Sequence, residues 1–560
     1  TEWCYGQESL LLYDHSREIW STRGVQQGDP LGPLYFCCGI NPLVNEIQAL
    51  NPIYNKWYMD DGGIVGDVEL LRKAWNILQE RGPEMGLILN PAKCEWSWLN
   101  PNRKDPCPIR LEGEDEEKQI KLVPHEKIEM LGVPLGDDAF VSAHVERKLM
   151  GRLEKVIGNL TDFEDSQAAS FLLRVSFSIV RAVHYMRTTP LEQWRHHAER
   201  FDQMIRGAIE KILGTPLSDT SYIQACLTPK LGGLGLRRTT EHAAFAFQAS
   251  WYEAKATSKE EGWDPPDGVG EGYMPQSVAS FQFDEQVHAS LVDHFAQAGN
   301  MREVQRLKRC AQPHASGFIT AVGKDATMRP QLFRTAVHYR LGIPLLEKEI
   351  DCPVCMQKKI DIMGDHATCC ARTGDLIIRH NALRDMVCDV ARQGLMSPVL
   401  EKKGILGSSS GRRPGDVTLP KWFGGKGLAM DIAVTSPFAK NHVKVDSPCE
   451  YYAHNGKDKK YLKDFEGTDY EFAPIVWEST GALNQGGEEV LRQIMRTASK
   501  QQGREHSSFC GRQWALFSCC LQRSVAKQLL MRIDGQNSRQ APIGTDASKL
   551  LVEPQLDTVD

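Results

Sequence analysis

The sequence feature that most restricts the fold is a pair of adjacent aspartates, Asp60 and Asp61, between two short apolar runs. Aromatic and apolar residues lead into the pair, and two glycines follow it before the second run. This pattern predicts a β-hairpin with both carboxylates at its tip. Neighbouring carboxylates at a turn suit a hard divalent cation such as Mg²⁺, which prefers oxygen ligands. A solvated Asp-Gly turn is the commoner meaning of such a dipeptide, so the hairpin alone identifies no function.

A glycine-rich loop, residues 24–34, precedes the hairpin and leads into an apolar run that starts at Leu34. Asp29 followed by Pro30 is typical of a helix N-cap and the first helical position. The backbone of a loop at a helix start can approach a phosphate or a base closely. A capped helix without further role is an equally good interpretation of this segment taken alone.

Bulk composition indicates a folded protein of several domains. A chain of 560 residues is too long for one hydrophobic core, and 41% hydrophobic with 25% charged residues is typical of globular proteins. No apolar stretch is long enough to span a bilayer and no signal peptide opens the sequence, so we expect a nuclear or cytoplasmic protein without a membrane partner. The first residue is Thr1, which we expect to fall in the middle of a domain.

The cysteine content and the net charge give limited information on the compartment of the protein and on its ability to bind nucleic acid. Sixteen cysteines without a secretory signal indicate a reducing compartment, where thiols stay free or bind metal. A net charge of −6 is unfavourable for phosphate binding, so local basic segments such as residues 152–155 and 457–463 would have to supply it.

A cluster of cysteine and histidine between residues 352 and 370 has the spacing of a metal site. Its candidate ligands are Cys352, Cys355, His366 and Cys370. A CxxC pair followed by a second pair can enclose one tetrahedral Zn²⁺, and four protein ligands leave no open position, so the ion would be structural. Cys369 can replace Cys370, and buried free cysteines are the alternative to a metal site.

A second pair of aspartates, Asp416 and Asp431, lies at equal distances from a glycine turn centred on residues 423–424. In an antiparallel hairpin such residues come opposite one another, within reach of a shared cation. Asp431 lies inside an apolar run, where a carboxylate is costly unless it is paired or metal-bound. This burial favours a functional pair over two solvated carboxylates beside a turn.

Lys457 and Tyr461 follow in a lysine-rich segment that we expect to be helical, and their spacing places them on one face. A lysine beside a metal site can orient or help deprotonate an attacking water. A solvated basic helix face is the alternative, and it applies well to the neighbouring lysines.

The other segments are less specific. Apolar residues recur with helical spacing over residues 143–185 and again over 243–252. Residues 255–272 are charged and rich in glycine and proline, and residues 333–342 predict a basic helix that ends at Gly342. Beyond about Asp534 the apolar pattern stops, which predicts a disordered tail.

Four blocks in order resemble successive palm motifs of reverse transcriptases, in particular those of non-LTR retrotransposons: the loop at 24–34, the aspartate hairpin, residues 86–94 and residues 131–136. The resemblance implies that Asp60 and Asp61 bind catalytic Mg²⁺ and that Lys93 lies near the triphosphate. It implies an RNA template and deoxynucleoside triphosphates as partners. The implied substrate-binding residues are Gln27, Gly28, Asp29, Pro30, Tyr58, Leu131 and Gly132.

Polymerases of this family use a further aspartate from an earlier palm strand. Asp14 is the only aspartate before the glycine-rich loop, and its neighbours do not resemble that strand. Because two-metal phosphoryl transfer depends on this carboxylate, we expect the chain alone not to extend a primer.

The order of cysteine cluster, Asp416, Asp431 and Lys457 resembles the restriction-like endonuclease of non-LTR retrotransposons, a PD-(D/E)XK-type fold that follows a CCHC knuckle. The resemblance implies that the two aspartates bind Mg²⁺, that Lys457 is the catalytic lysine with Tyr461 beside it, and that target DNA is the substrate. It suggests Glu401 as the acidic helix residue of such folds. Two departures are Gly415 where proline usually precedes the first aspartate, and Ala433 where simpler nucleases carry lysine.

Together the resemblances imply a multidomain α/β and α protein. The expected domains are the C-terminal part of a right-hand polymerase palm (1–137), a helical thumb (138–254), a linker region (255–345), a zinc knuckle (346–385), a restriction-endonuclease-like α/β domain (386–535) and a disordered tail (536–560). The implied function is RNA-directed DNA polymerisation coupled to Mg²⁺-dependent DNA nicking, as in target-primed reverse transcription. The alternative is a decayed or domesticated remnant that binds nucleic acid without polymerase activity.

Overall fold

The structure, a computed structural model, describes residues 5–13, 17–22, 24–100, 102–111, 113–260, 274–321, 323–370, 374–406 and 413–537. Asp14 and residues 538–560, which form most of the predicted tail, lie outside this part. The chain divides into two compact units, residues 1–144 and 145–560. In the part that is described, no helix combines the length and hydrophobicity needed to cross a membrane.

The first unit is built from short strand pairs and two longer helices. Its elements are β1 (Ser9–Tyr13), β2 (Arg17–Ser21), α1 (Gly32–Gln48), β3 (Tyr54–Tyr58), β4 (Asp61–Val65), α2 (Val68–Arg81), β5 (Glu95–Trp96), β6 (Lys121–Leu122), β7 (Lys127–Met130), β8 (Val133–Gly136) and α3 (Asp138–Val145), with 3₁₀ turns at Pro83–Met85, Pro91–Lys93 and Glu116–Lys118. β1–β2, β3–β4 and β7–β8 are antiparallel pairs, whereas β5 and β6 are parallel.

Helices α1 and α2 support the β3–β4 hairpin from one side. Leu43 and Ile47 of α1 meet Ala74 and Leu78 of α2 in a small buried core, and Trp57 of β3 packs against it. The tip of the hairpin projects from this support, so the adjacent aspartates remain exposed.

The prediction that Asp29 and Pro30 begin the helix was wrong by two residues. Helix α1 begins at Gly32, with Pro33 in its first turn and Leu31 at the N-cap position. The Asp29 carboxylate accepts the Leu31 N–H at 2.9 Å and a hydrogen bond from the Tyr5 hydroxyl. Asp29 therefore closes a turn before the helix, where its side chain competes with the helical geometry.

The second unit begins with a helical region. Its helices are α4 (Gly151–Thr161), α5 (Ser166–Leu172), α6 (Val183–Thr188), α7 (Arg195–Leu213), α8 (Asp219–Cys226), α9 (Thr239–Glu260), α10 (Gln276–Gln297), α11 (Met301–Cys310), α12 (Gly317–Thr320) and α13 (Pro330–Leu341), with π-helical turns at Glu146–Met150 and Leu173–Phe177 and 3₁₀ turns at Ile179–Arg181, Leu191–Gln193, Pro229–Leu231 and Lys324–Ala326. The apolar spacing that predicted helices here is confirmed, since Leu149, Leu153 and Ile157 are buried.

The sequence predicted a linker region at 255–345, whereas the described residues of this region are mostly helical; residues 261–273 lie outside the described part. Helix α9 continues to Glu260, and helices α10 to α13 occupy most of residues 276–341. Helix α11 is buried through charged side chains, including Glu303, Arg306 and Arg309, which pair inside the protein. Hydrophobic periodicity detects a helix of this kind poorly, because more than half of its buried residues are charged or polar. The predicted end of α13 at Gly342 is confirmed, with φ +65°.

The C-terminal region has a four-stranded sheet with helices on both faces. Its elements are β9 (Ile350–Asp351), β10 (Lys359–Ile360), α14 (Asp365–Cys369), α15 (Asp375–Gln393), β11 (Val399–Leu400), β12 (Val417–Leu419), a 3₁₀ turn (Phe423–Gly425), β13 (Gly427–Thr435), α16 (Pro448–Tyr451), a π-helical turn (Tyr452–Asp458), α17 (Lys459–Phe465), β14 (Tyr470–Glu478), α18 (Gln485–Gln501) and α19 (His506–Asn537). The strand order is β11-β12-β13-β14, antiparallel except for the parallel pair β13–β14.

Alternate residues of β13 face opposite layers. Leu428, Met430 and Ile432 belong to the large core that includes residues of α15, α18 and α19. Ala429 and Ala433 instead belong to smaller clusters that include residues of the segment 449–465. Because side chains alternate along a strand, Asp431 lies on this second face.

Candidate active sites and metal centre

The first candidate site is the tip of the β3–β4 hairpin. Tyr58 pairs with Asp61, so Met59 and Asp60 form a two-residue turn. Met59 has φ +56°, a left-handed conformation that costs a side chain about 1–3 kcal/mol. A Cβ added at Gly62 would lie 2.6 Å from the Trp57 ring, so glycine is required beside the carboxylates. The predicted hairpin is confirmed, and both aspartates are exposed at its tip.

A second hairpin, β7–β8, lies beside the first. Its turn consists of Leu131 (φ +51°) and Gly132 (φ +77°), and half of the Leu131 surface is exposed. A methyl group added at Gly63 would lie 3.5 Å from the Met130 side chain, which shows how closely the two hairpins approach. Leu131 and Met59 both hold strained backbone at a hairpin tip, a feature common at binding sites.

Most of the remaining predicted residues of the first unit are exposed. Gln27, Gly28 and Pro30 are exposed in the loop before α1, and Tyr58 is 64% exposed. Lys93 ends an exposed 3₁₀ turn, and within the described residues it forms no hydrogen bond or ion pair with the aspartates. Among the described residues, the structure therefore shows no direct contact between Lys93 and the Asp pair.

The Cys/His cluster forms a compact set of candidate metal ligands. One ligand atom from each of Cys352, Cys355, His366 and Cys370 lies within 4.8 Å of the others. Cys352 Sγ is 4.0 Å from Cys370 Sγ, and Cys355 Sγ is 3.3 Å from His366 Nε2. With zinc–sulfur bonds of about 2.3 Å, tetrahedral ligands are separated by similar distances, so the residues fit Zn²⁺. Cys369 is exposed and outside the cluster, which selects Cys370.

One cysteine of this cluster, Cys355, ionises more easily than an ordinary thiol, which favours metal binding. A hydrogen bond from the backbone N–H of Gln357 lowers the pKa of Cys355 to about 6, and His366 acts in the same direction. The thiolate, rather than the thiol, is the form that binds metal.

The cluster is joined to other parts of the second unit. Asp361 accepts three backbone N–H groups at the start of α14, and Asp365 forms a two-point ion pair with Arg302 of α11 at 2.9 and 3.0 Å. The Thr368 hydroxyl donates to Ser436, just beyond β13, at 3.0 Å. The candidate ligand His366 therefore lies on a short helix that is held from both sides.

Three carboxylates form a row across β11, β12 and β13. The Asp416 N–H donates to the Met430 carbonyl at 2.8 Å, which continues the antiparallel ladder and sets Asp416 opposite Asp431. The Glu401 N–H donates to the Asp416 carbonyl at 3.0 Å, which extends the β11–β12 pairing by one residue. The predicted opposition of the two aspartates is confirmed.

Each carboxylate of this acidic row contacts its own basic side chains. Lys457 Nζ lies 2.6 Å from Asp431 Oδ2, and His380 Nε2 lies 3.3 Å from Asp416 Oδ1. Arg384 and Arg413 approach the two oxygens of Glu401 at 3.4 and 2.6 Å.

Glu401 does not lie on a helix, contrary to the prediction. It follows directly after β11 with φ +45°, and its two carboxylate oxygens contact separate arginines. Its side chain is therefore occupied by Arg384 and Arg413, although its backbone pairs with Asp416. The sequence could not predict this contact, because the direction of a side chain depends on the residues that surround it in the folded protein.

Lys457 reaches Asp431 from a π-helical turn rather than from a regular α-helix. The turn Tyr452–Asp458 packs over β13, where Ala433 and Ala453 share a small buried cluster. Alanine at position 433 leaves space for this turn, so the lysine comes from a different element and still contacts the acidic row. π-helical turns occur frequently at functional sites because the extra residue redirects neighbouring side chains.

Two tyrosines flank Lys457. The Tyr452 ring centre lies 5.9 Å from Lys457 Nζ, a neighbour that the sequence did not indicate. The Tyr461 ring packs 5.5 Å from the ring of Phe472 on β14, and both tyrosines lie within electrostatic range of Lys457. The predicted neighbourhood of Lys457 and Tyr461 is present, although a π-helical turn precedes α17.

Burial shapes the electrostatics of the acidic row. Burial raises the pKa of Asp431 to about 6; Lys457 opposes this rise, and the charge of Asp416 adds to it. Burial would also raise the pKa of Asp416, but His380 and the Ile432 N–H stabilise its charged form and leave that pKa below its ordinary value. Two close carboxylates with opposite shifts are typical of sites that hold a cation or a proton.

Glu478, a further carboxylate of this sheet, does not belong to the acidic row. It is fully buried at the end of β14, where Arg309 of α11 donates two hydrogen bonds of 2.8 Å to its carboxylate. The Cys449 N–H donates a third at 3.0 Å. Glu478 is therefore a core residue.

Comparison with known proteins identifies part of the chain. Residues 4–135 match the family described as reverse transcriptase (RNA-dependent DNA polymerase). The chain is also similar to the retrotransposable element SLACS 132 kDa protein of Trypanosoma brucei gambiense, with 26% identity over 237 residues. That similarity covers 41% of this chain and only 18% of the relative's length. Residues 4–135 are therefore similar to reverse transcriptase domains, and the chain is similar to part of a retrotransposon protein.

Proposed function

We propose that this chain combines part of an RNA-directed DNA polymerase with a Mg²⁺-dependent DNA endonuclease, and that the two serve target-primed reverse transcription. In this scheme the nuclease nicks target DNA, and the polymerase copies element RNA from the exposed 3′-hydroxyl. The reverse transcriptase domain supports the polymerase half, with RNA template and deoxynucleoside triphosphates as its ligands.

The observation that carries the nuclease half is the contact of Asp416, Asp431 and Lys457 in one partly buried row. Two carboxylates held this close raise each other's energy, and a divalent cation between them would remove that repulsion, so the residues fit Mg²⁺. When bound, Mg²⁺ would polarise the scissile phosphate. Lys457 can stabilise negative charge on the phosphate or orient water from its position beside Asp431.

Plasmid nicking tests this proposal. We expect the wild-type chain to nick supercoiled plasmid only with Mg²⁺, and Asp431→Ala to lose roughly 100-fold or more of that activity without unfolding. Asp325→Asn is the control, because Asp325 pairs with Arg512 at the surface and is not part of the acidic row. Loss of such an exposed pair costs about 1 kcal/mol of stability at most, so this variant should stay folded and nick plasmid at the wild-type rate. Undiminished cleavage by Asp431→Ala would refute the nuclease assignment.

Primer extension tests the polymerase half. Among the described residues, three or more potential metal ligands come together only in the Cys/His cluster, so no third ligand accompanies Asp60 and Asp61. We therefore expect the 560-residue chain not to extend a DNA primer on an RNA template with Mg²⁺. Template-dependent synthesis that Asp60→Ala abolishes would contradict this expectation and would establish a complete catalytic site.

The Cys/His cluster would hold one structural Zn²⁺ through Cys352, Cys355, His366 and Cys370. Its ligand spacing and its attachment to α11 and to the end of β13 support this role.

A further inference from the structure

His380 is a neighbour of the acidic row that none of the sequence motifs includes. It lies on α15, with Nε2 3.3 Å from Asp416 Oδ1. The other oxygen of Asp416 accepts the Ile432 N–H at 2.6 Å. The Asp416 carboxylate is therefore contacted on one oxygen by a side chain and on the other by the backbone of β13.

Helix α15, which carries His380, is anchored in the main core. Leu383 and Val387 are fully buried in the main core, and Arg379 donates to Gln528 of α19 at 3.0 Å. One turn after His380, Arg384 contacts Glu401 in the same acidic row. The helix thus presents two basic side chains, at i and i+4, to neighbouring carboxylates of the row.

We propose that His380 is a positioning residue of the nuclease site, which holds the Asp416 carboxylate so that Asp416 and Asp431 turn their free lone pairs toward one divalent cation. This inference rests on the proposed nuclease function. A carboxylate fixed on only one oxygen can rotate, and a rotating ligand binds metal less tightly because binding must order it.

The test variants at position 380 either keep or remove the nitrogen that contacts Asp416. His380→Gln retains an amide nitrogen near the place of Nε2 and should still hold Asp416, whereas His380→Leu fills the space without a donor. His196→Leu, at an exposed histidine of α7, is the matched control. Thermal unfolding of all variants verifies that the fold is retained.

Metal binding is measured first and without DNA, by titrating the full chain with Mn²⁺ as a spectroscopic substitute for Mg²⁺. We expect His380→Leu to weaken binding about 10- to 100-fold, and His380→Gln to remain near wild type. In the nicking assay, the Mg²⁺ concentration for half-maximal rate should rise in His380→Leu by a similar factor. The rate at saturating Mg²⁺ should change much less.

A double variant separates action through Asp416 from a general effect. In an Asp416→Ala background, His380→Leu should cause no further loss of Mn²⁺ binding, because the residue it positions is gone. Equal Mn²⁺ binding by wild type and His380→Leu would overturn the inference. A second result would also overturn it: His380→Gln binds Mn²⁺ as weakly as His380→Leu does, and its preference between Mn²⁺ and Mg²⁺ differs from that of wild type. That result would make His380 a direct metal ligand. If wild type binds Mn²⁺ but never nicks DNA, the nuclease proposal fails, and the metal titration still decides the role of His380.

Discussion

At the scale of single residues, the stability of the second unit depends on ionisable side chains that burial holds in one protonation state, and His242 is an example. His242 of α9 is 1% exposed, and its Nδ1 lies 3.0 Å from the Ser280 hydroxyl. Burial lowers the pKa of His242 to about 3, and the positive charges of Arg237 and Arg238 lower it further. The native state therefore requires neutral His242 near pH 7.

A pH dependence of stability follows from this lowered pKa. The unfolded chain binds a proton at His242 near pH 6.5, whereas the folded chain does so only near pH 3. Between these values the unfolded state holds more protons, so the contribution of His242 to stability is present above pH 6.5 and is lost as pH falls. We expect a loss of up to about 1.4 kcal/mol per pH unit from this residue.

Urea unfolding of wild type and His242→Gln at pH 7, 6 and 5 measures this contribution. The difference between the two slopes isolates His242 from nearby acids such as Asp284, whose pKa burial raises. His196→Gln, at an exposed histidine, should leave the wild-type slope unchanged. Parallel slopes for wild type and His242→Gln would contradict the expectation.

At the scale of elements, short segments are stabilised by what they contact rather than by their own length. Helix α14 has five residues, too few to be stable alone. Asp361 caps it, Arg302 pairs with Asp365, and the Cys/His cluster closes around it. A metal at this cluster would therefore order α14 and the contact between Thr368 and Ser436.

Adjacent cysteines provide a matched pair of variants for this element. We expect Cys370→Ser to lose bound zinc and Cys369→Ser to retain one ion per chain, because only Cys370 faces the other ligands. Metal analysis of the purified chains measures this directly. Hydrogen exchange should be faster over residues 350–370 in Cys370→Ser alone. Equal zinc content in both variants would show that the two thiols substitute for each other.

At the scale of the second unit, helix α11 joins the helical region to the C-terminal sheet. Its Arg306 donates to Gln224 of α8, and its Arg302 pairs with Asp365 of α14. Arg309 and Glu478 form a buried ion pair across this junction, with side chains 6% and 0% exposed. Removal of one member leaves the other charge buried without its partner.

We expect Glu478→Leu to lower the free energy of unfolding by about 3–5 kcal/mol, and Arg309→Met with Glu478→Leu to cost clearly less, because no charge stays buried. Asp325→Asn is the control: its ion pair with Arg512 is exposed and should contribute no more than about 1 kcal/mol. Denaturant unfolding measures all three. A single variant as stable as the double one would show that the pair is not needed at this junction.

The sequence alone determined features that depend on neighbouring residues. The Asp60–Asp61 hairpin and the opposition of Asp416 and Asp431 follow from turn position and strand alternation, which are local. The spacing of Cys352 and Cys355 likewise indicated a metal cluster. These predictions needed no knowledge of how distant segments pack.

Tertiary structure decided the features in which distant segments meet. His380 contacts Asp416 only because α15 packs beside the sheet, and Glu401 turns to arginines rather than to the aspartates. Lys457 reaches Asp431 through a π-helical turn, and α11 buries charged residues, such as Arg306 and Arg309, that the sequence alone would place in solvent. Such contacts depend on the packing of helices against a sheet, and hydrophobic periodicity records which residues are apolar, not which charged residues find partners inside.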